Sequence, residues 1–182
     1  MVGILDDFEN RMTLNFKNEG DIIVLIGDQK NDINSSEYLH KLKSVEFSPA
    51  PYFDLDQEYN VQEFVTAIIK DRLIQSAHDI SEGGLAITLL ESGFTNDLGF
   101  IVNAKEPARK DAYWFGEAQS RVVVSVSKDK LSTLLQYAKN AGITITELGT
   151  VSTGSINVNG ADWGNITNWK LKYDTAIEKL LN

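Results

Sequence analysis

The stretch Ser76-Ala77-His78-Asp79-Ile80-Ser81-Glu82-Gly83-Gly84-Leu85 decides how this chain folds and where its chemistry lies. Residues from Leu73 to Ala77 have the apolar content of a short strand, which leads into a histidine, an aspartate and a serine. A Gly-Gly turn follows, and the run Leu85–Glu91 then reads as the first turns of a buried helix. The pattern predicts a strand, a turn and a helix, with acid, hydroxyl and flexible backbone at the helix N-terminus.

The start of such a helix attracts anions. Its first N–H groups have no partner within the helix, and the helix dipole places roughly half a positive charge there. Phosphate oxygens are therefore predicted to bind at Ser81, Gly83 and Gly84, and Asp79 is predicted to hold the Mg²⁺ that accompanies them. The residues alone also allow a structural interpretation, in which His78 and Asp79 satisfy backbone groups at a strand end and the glycines serve turn geometry.

Composition limits the classes of function. With 182 residues, of which 42% are hydrophobic, the chain can bury one good core and is predicted to be soluble. It contains no apolar run of about 18 residues and no secretory signal pattern, so no membrane is expected and the predicted location is cytoplasmic. The net charge of −9, with dispersed basic residues, argues against nucleic acid as a partner. Because there is no cysteine and there are only two histidines, any metal should be a hard ion on oxygen ligands.

Strand and helix patterns alternate along the chain. The apolar runs Ile22–Ile26 and Arg121–Val126 predict strands that are covered on both faces, and helical spacing predicts an amphipathic helix over about Glu58–Arg72. The other predicted elements are a short helix from Ser36 through Leu42, a strand Leu98–Val102, a polar helix near Lys105–Trp114, a helix through Leu131 and Ala138 that is closed by Gly142, a strand Thr144–Thr150, a hairpin at Asn159-Gly160 and a terminal helix through Tyr173 and Leu181. These elements together predict an α+β fold, a mixed β-sheet with helices on both faces.

Three segments carry a resemblance to a known family: Ser76–Glu91, Phe115–Val126, and Asp28–Asp32 leading to Ser36–Leu39. Together they resemble the synthetase subunit of phosphoribosylformylglycinamidine synthase. In particular, they resemble the last domain of that subunit, the second copy of the C-terminal domain seen in aminoimidazole ribonucleotide synthetase-like proteins. The resemblance implies that the chain is a fragment of a longer enzyme, with residues 1–17 as the end of the preceding domain and a linker, and 18–182 as the C-terminal domain. Residues 1–17 are therefore expected to pack poorly.

The resemblance also implies a reaction. Enzymes of this family are ATP-dependent ligases of de novo purine biosynthesis, which convert formylglycinamide ribonucleotide, glutamine and ATP to the amidine. The implied partners are the remaining domains of the same synthetase and a glutaminase subunit or domain, and the implied cofactors of the full-length enzyme are Mg²⁺ and ATP or ADP. The chemistry belongs mainly to the first half of such an enzyme. This domain is therefore expected to be largely structural, to bind an auxiliary nucleotide at most, and to be inactive alone, with no catalytic residue of its own.

The same resemblance suggests roles for individual residues. Asp79 and Ser81 match positions of a His-Asp-x-Ser segment that, in long forms of the enzyme, helps to bind Mg²⁺ and a retained nucleotide at a non-catalytic site. Glu117-Ala118-Gln119 matches a Glu-Ser-Gln triplet that approaches the substrate in the first half, with alanine replacing the serine. Glu117, Gln119 and Arg121 are accordingly interpreted either as vestigial ligands or as contacts to a neighbouring domain.

Two alternatives to this function remain open at the level of sequence. The first is a domain of another ATP-dependent enzyme of the superfamily, such as aminoimidazole ribonucleotide synthetase, selenophosphate synthetase or thiamine-phosphate kinase. The segment Phe115–Arg121 argues against it. The second is an interaction module without a ligand. The sequence is compatible with both the long single-chain and the short multi-subunit form of the parent enzyme.

Overall fold

The computed structural model of the chain describes residue 5, residues 7–106 and residues 109–181. At its centre is a seven-stranded sheet of order β2-β4-β1-β5-β3-β6-β7. The strands are β1 Ile22–Ile26, β2 Ser76–Asp79, β3 Gly99–Val102, β4 Val122–Val126, β5 Ile145–Ser152, β6 Ser155–Val158 and β7 Ala161–Asn165. Neighbouring strands are antiparallel except for β3 and β6, which are parallel, so the sheet is mixed.

Helices cover both faces of this sheet. They are α1 Leu55–Lys70, α2 Gly84–Phe94, α3 Lys110–Phe115, α4 Lys128–Ala141, α5 Ile166–Asp174 and α6 Ala176–Leu181. A 3₁₀ turn at Phe8–Asn10 and a π-helical turn at Tyr38–Leu42 complete the described helical elements. None of the described helices combines the length and apolar character needed to cross a bilayer.

The alternation of side chains along β1 creates two cores. Ile23 and Leu25 face one core, which α2, α3 and α5 cover, whereas Val24 and Ile26 face the other, which α1 and α4 cover. Both sets of β1 side chains are fully buried, as expected for a strand with helices on either side. The predicted fold class, a mixed sheet with helices on both faces, is confirmed.

Local signals predicted several elements closely. Strand β1 has the predicted bounds, and Gly142 ends α4 in the left-handed conformation, with φ 68° and its N–H donating to Ala138 O and Lys139 O. Asn159 and Gly160 both have positive φ, 52° and 82°, which is the backbone that a two-residue hairpin requires. Ser36 Oγ accepts from Leu39 N at 3.4 Å, so it caps the predicted short helix, although that helix is π-helical.

Other elements differ from prediction for identifiable reasons. The strand expected at Leu73–Ala77 lies further along the chain, as β2 at Ser76–Asp79. Leu73 is not part of it, because its N–H donates to Ile68 O at the end of α1 and its side chain packs in the core beneath that helix. The expected terminal helix is two helices, α5 and α6, because the backbone of Thr175 leaves the helical conformation, with φ −98° and ψ 3°, and ends α5 at Asp174. The polar helix predicted near 105–114 is described from Lys110 to Phe115, and residues 107 and 108 lie outside the described part of the chain.

The segment of residues 12–17, here called the N-terminal strap, is anchored to the domain through Phe16 and through the backbone of Thr13. Phe16 is 0% exposed, its N–H donates to Ser92 O at 2.8 Å, and its carbonyl accepts from Asn96 Nδ2 at 2.7 Å. Thr13 O accepts from Ala77 N on the outer edge of β2. The expectation that residues 1–17 pack poorly is therefore wrong for Phe16, whereas Thr13, Leu14 and Lys17 are exposed, and residues 1–4 and 6 lie outside the described residues. The domain boundary between residues 17 and 18 stays a prediction.

Candidate functional site

The candidate site lies at one end of the sheet. Asp79, Val122, Ile26 and Ile145 are paired in register across four neighbouring strands there. Above this row, the turn after β2, the loop before β4 and the first half of α1 enclose a groove of about 760 Å³. Its lining includes Glu58, Val61, Asp79, Ser81, Glu82, Glu117, Gln119, Ser120 and Arg121. The structure thus brings most of the predicted site residues to one groove.

Asp79 ends the edge strand β2 and is exposed. Its carboxylate makes no hydrogen bond or ion pair with another described residue, so it is available to an external ligand. Within the described residues, no group of three or more histidine, aspartate or glutamate side chains is placed to hold a metal ion. Asp79 therefore fits Mg²⁺ only as one ligand among several, and the others must come from phosphate, water or another domain.

His78 has a structural role. Its Nδ1 lies 3.2 Å from Ser92 Oγ, and its Nε2 lies 3.6 Å from Glu91 Oε2, both on α2. Ser92 Oγ also donates to Thr88 O at 2.7 Å within the helix. The imidazole therefore ties β2 to α2 on the opposite side of the strand from Asp79.

The backbone conformation of the turn before α2 requires glycine at both positions. Gly83 and Gly84 have φ of 84° and 67°, and Gly84 N donates to Ser81 O at 3.0 Å, which closes the turn. A Cβ at Gly84 would lie 2.7 Å from backbone atoms of Phe115, and a Cβ at Gly83 would lie 2.3 Å from Ile87 Cγ1. The predicted strand, turn and helix are present, and α2 begins at Gly84.

Glu117 makes the least expected contact of the site. Its Oε1 accepts from Gly83 N at 2.8 Å and from Glu37 N at 2.8 Å. A single carboxylate oxygen thus joins the Gly-Gly turn, the loop before β4 and the start of the π-helical turn. Sequence reasoning did not find Glu37, because backbone donors leave no trace in residue type and these partners are 34 and 80 residues from Glu117. The phosphate-binding role of Ser81, Gly83 and Gly84 stays a prediction.

Arg121 holds the loop that carries Glu117. Its guanidinium is buried, with Nε donating to Ala118 O at 3.0 Å and Nη2 donating to Gly116 O at 2.7 Å, so it binds the backbone on both sides of Glu117. Nη1 is buried and has no hydrogen-bond partner among the described residues. Burial lowers the pKa of Arg121 to about 10, which still leaves the side chain protonated at neutral pH. With 2% of its surface exposed, the side chain offers almost no area to a neighbouring domain.

Gln119 and Glu58 form the rim of the groove. Gln119 is exposed and makes no hydrogen bond to another described residue. Glu58 on α1, which sequence reasoning missed, accepts from Ser120 Oγ at 2.7 Å and from Gln62 Nε2 at 2.7 Å. The bond from Ser120 fixes α1 against the loop before β4, whereas the bond from Gln62 lies within α1. The signal for Glu58 was only its place on the polar face of an amphipathic helix.

The charges of the groove are mainly negative. Four carboxylates line it, from Glu58, Asp79, Glu82 and Glu117, and the cationic Arg121 is buried. A bare phosphate would be repelled by these carboxylates, whereas a cation bound at Asp79 would offset the repulsion. The charges therefore disfavour a free anion and suit an anion that arrives with a divalent cation.

Comparisons with known proteins agree with this architecture. The family described as AIR synthase related protein, C-terminal domain, matches residues 18–159. Phosphoribosylformylglycinamidine synthase subunit PurL of Alkaliphilus metalliredigens is 38% identical over 151 residues, which cover 83% of this chain and 20% of that protein. The chain thus spans about a fifth of the length of the curated relatives it matches.

Solved structures support the fold at lower identity. T. maritima PurL complexed with FGAR has a TM-score of 0.75 and 17% identity, over 90% of this chain and 30% of that one. T. maritima PurL complexed with ATP has a TM-score of 0.65 and 17% identity, over 86% of this chain and 26% of that one. At these identities the likeness concerns the fold.

Proposed function

The chain belongs to the family of AIR synthase related C-terminal domains, and from this we propose that it works as a domain of a phosphoribosylformylglycinamidine synthase. The complete enzyme would convert formylglycinamide ribonucleotide, glutamine and ATP to the amidine in purine biosynthesis. The observation that carries the proposal is the identity to the PurL subunit across most of this chain. The groove at the sheet end, where the residues of the resemblance meet, supports it.

Within that enzyme, the domain has a structural role and an auxiliary nucleotide-binding role. Asp79 supplies one carboxylate to Mg²⁺, and the exposed hydroxyl of Ser81 lies two residues further along the same rim. Gly83 and Gly84 place the start of α2, an 11-residue helix, beside them. Bound Mg²⁺ would supply charge neutralisation for nucleotide phosphates. Gln119 remains a candidate contact to substrate or to a neighbouring domain because it is exposed and without a partner in the described residues.

No catalytic residue is assigned to this chain. Phosphoryl transfer needs positioned metal ions, a phosphate cradle and an oriented nucleophile together, and the groove offers one available carboxylate and one turn. The remaining domains of a longer synthetase, together with a glutaminase that supplies ammonia, would complete the machinery. A cytoplasmic location follows from a role in purine biosynthesis.

The proposal is tested by a chimera. The segment of Alkaliphilus metalliredigens PurL that aligns with this chain is replaced by the chain, and amidine formation is measured with formylglycinamide ribonucleotide, ATP, Mg²⁺ and ammonia. We expect the chimera to retain turnover and the isolated 182-residue chain to have none. A folded chimera without activity, beside an active parent, would contradict the proposal, and so would turnover by the isolated chain.

The matched control for the chimera is Gly84→Val, which changes one residue at the turn. A side chain at Gly84 meets backbone atoms of Phe115, so this variant should lose both fold and activity. The control establishes that activity in the chimera depends on the folded domain. An active Gly84→Val chimera would show that the assay does not report on this domain.

A further inference from the structure

The turn Asn159-Gly160 between β6 and β7 contains two groups that can react with each other. Both residues are exposed, and they lie near the edge of the sheet opposite to the groove. The backbone nitrogen of a residue that follows asparagine can attack the carboxamide carbon of that asparagine. Glycine suits this attack because it has no Cβ to crowd the nitrogen or to restrict the backbone. The dipeptide that shapes the hairpin therefore also supplies a nucleophile and an electrophile.

We propose that Asn159 is a site of spontaneous modification, at which water converts the side-chain amide to a carboxylate through a cyclic imide with Gly160. Two hydrogen bonds of the folded hairpin restrain this reaction. In the first step a bond forms between Gly160 N and Asn159 Cγ, the Cγ–Nδ2 bond breaks, and ammonia leaves with the amide proton of Gly160. Water then adds to one of the two imide carbonyls. Cleavage of the new bond gives aspartate, and cleavage of the original peptide bond gives isoaspartate.

The folded hairpin holds the two reacting groups to different partners. Asn159 Oδ1 accepts from Ala104 N at 2.8 Å, which ties the carboxamide to the segment after β3. Gly160 N donates to Asn157 Oδ1 at 3.0 Å, so the proton that the reaction removes is held in a hydrogen bond. Asn159 N donates to Val102 O at 2.8 Å and fixes the backbone of the turn. Attack therefore requires the hairpin tip to open, and the fraction of open molecules sets the rate.

The product places a new charge beside an existing carboxylate. Glu106 Oε1 accepts from Trp114 Nε1 at 2.6 Å, and Glu106 Oε2 pairs with Lys110 Nζ at 2.7 Å. Hydrogen bonds from Lys110, Trp114 and Asn159 hold the pKa of the Glu106 carboxyl below its ordinary value. Conversion of the Asn159 amide removes one of these donors and adds a like charge, so it should raise that pKa. The isoaspartate product also adds a methylene to a two-residue turn, whose geometry sets the register of β6 and β7.

Peptide mapping by mass spectrometry tests the site. The wild-type chain is incubated in mildly alkaline buffer, folded in one sample and unfolded by urea in the other. Conversion at Asn159 is followed by the mass gain of its peptide and by chromatographic separation of the aspartate and isoaspartate forms. We expect conversion to be at least about tenfold faster in the unfolded chain, because the restraining hydrogen bonds are absent there. Equal rates in the two samples would overturn the restraint, and an unfolded chain that is not converted at Asn159 would overturn the site itself.

Asn157→Ala tests the restraint on the nucleophile. It frees Gly160 N–H and should accelerate conversion in the folded chain by about threefold or more. The matched control is Asn103→Ala, which removes an exposed asparagine after β3 and leaves the bond from Gly160 to Asn157 in place, so it should react at the wild-type rate. A folded Asn157→Ala variant that also reacts at the wild-type rate would contradict the role of this bond. The comparison of folded and unfolded wild type decides the proposal even where the variant does not fold.

The effect of the product is measured on Asn159→Asp. The indole N–H resonance of Trp114 is followed by NMR while the pH is lowered, because its acceptor is the Glu106 carboxylate. We expect the midpoint of this titration to lie at higher pH in Asn159→Asp than in wild type. An unchanged midpoint would overturn the coupling between the hairpin and Glu106. None of these measurements depends on the activity of a synthetase.

Discussion

Single side chains at the sheet end act mainly on backbone groups. Glu117 accepts from two amides, and Arg121 donates to two carbonyls, so each fixes loop geometry rather than another side chain. Gly84 contributes through the absence of a Cβ. The shape of the groove therefore depends on a few residues, and substituting them should change both the free energy of unfolding and ligand binding.

Gly84→Ala tests how closely α2 approaches α3. The new Cβ would meet Phe115 backbone at 2.7 Å in a residue with φ of 67°, so both overlap and conformational strain oppose it. We expect a loss of about 2–5 kcal/mol in the free energy of unfolding, measured by urea denaturation. Gly142→Ala is the matched control, since Gly142 has φ of 68° with nothing within 4 Å of an added Cβ, and only about 1–2 kcal/mol should be lost. Equal losses in the two variants would refute the close approach.

Asp21 should make stability depend on pH. The residue is 5% exposed, and burial raises the pKa of its carboxyl, while Asn18 Nδ2 donates to it at 3.3 Å. Because the pKa is higher in the folded state, protonation of Asp21 favours the folded protein. This contribution to the free energy of unfolding is complete below the unfolded pKa of about 4 and is lost as pH rises through the folded pKa. The unfolding free energy of wild type relative to Asp21→Asn should therefore fall between pH 4 and 7. Urea denaturation across that range measures it, and a constant difference would contradict the assignment.

At this scale the sequence predicted residue types better than roles. Asp79, Ser81 and the two glycines were identified because acid, hydroxyl and glycine stand together before an apolar helix. The ligation of Gly83 by Glu117 could not be predicted, since it joins backbone to side chain over 34 residues. The burial of Arg121 was equally hidden, because an arginine before an apolar strand is usually exposed.

Among the elements, the N-terminal strap has the clearest energetic role. Phe16 fills the core between the sheet and α2, and its backbone bonds to Ser92 and Asn96. Phe16→Ala should lower the free energy of unfolding by about 3–5 kcal/mol, the usual cost of a cavity in a packed core. Phe47→Ala, at a side chain that is 90% exposed, should change it by no more than about 0.5 kcal/mol. Denaturation of both variants decides the matter: a loss below about 1 kcal/mol for Phe16→Ala would mean that the strap is loosely held.

Elements defined by local chemistry were predicted well, whereas those defined by tertiary contact were not. Gly142 and the Asn159-Gly160 hairpin follow from backbone conformations that few residues adopt. Strand β2 was displaced because Leu73 and Ile74 are apolar for packing under α1 rather than for pairing. Met12, Leu14 and Phe16 alternate with polar residues, which is a strand-like period, but the strap forms no described strand, so the pattern did not indicate that Phe16 is the residue that becomes buried.

For the whole molecule, Asp79 should matter more for holding nucleotide than for chemistry. In the active chimera, Asp79→Asn removes the available carboxylate without changing shape. We expect reduced retention of Mg²⁺ and nucleotide, a lower melting temperature in their presence, and turnover within about tenfold of the parent, or about 1.4 kcal/mol of barrier. Calorimetry with ADP and Mg²⁺, together with steady-state kinetics, gives these quantities.

The control for that experiment is Glu82→Gln, three residues away on the same rim and also exposed. It should leave nucleotide retention near the parent level. A loss of about a thousandfold in turnover for Asp79→Asn, at unchanged thermal stability, would place Asp79 in the catalytic centre and reject the auxiliary assignment.

The arrangement of aromatic residues gives the two faces of the sheet different optical signals. All three tryptophans belong to one core: Trp114 is 6.2 Å from Trp163, and Trp163 is 6.3 Å from Trp169, measured between ring centroids. The opposite layer carries tyrosines, Tyr59 on α1 and Tyr137 on α4. Intrinsic tryptophan fluorescence therefore reports on the layer of α2, α3 and α5, and is silent about detachment of α1 and α4. A melt followed by tryptophan emission and by far-ultraviolet dichroism will coincide only if the two layers come apart as one cooperative unit.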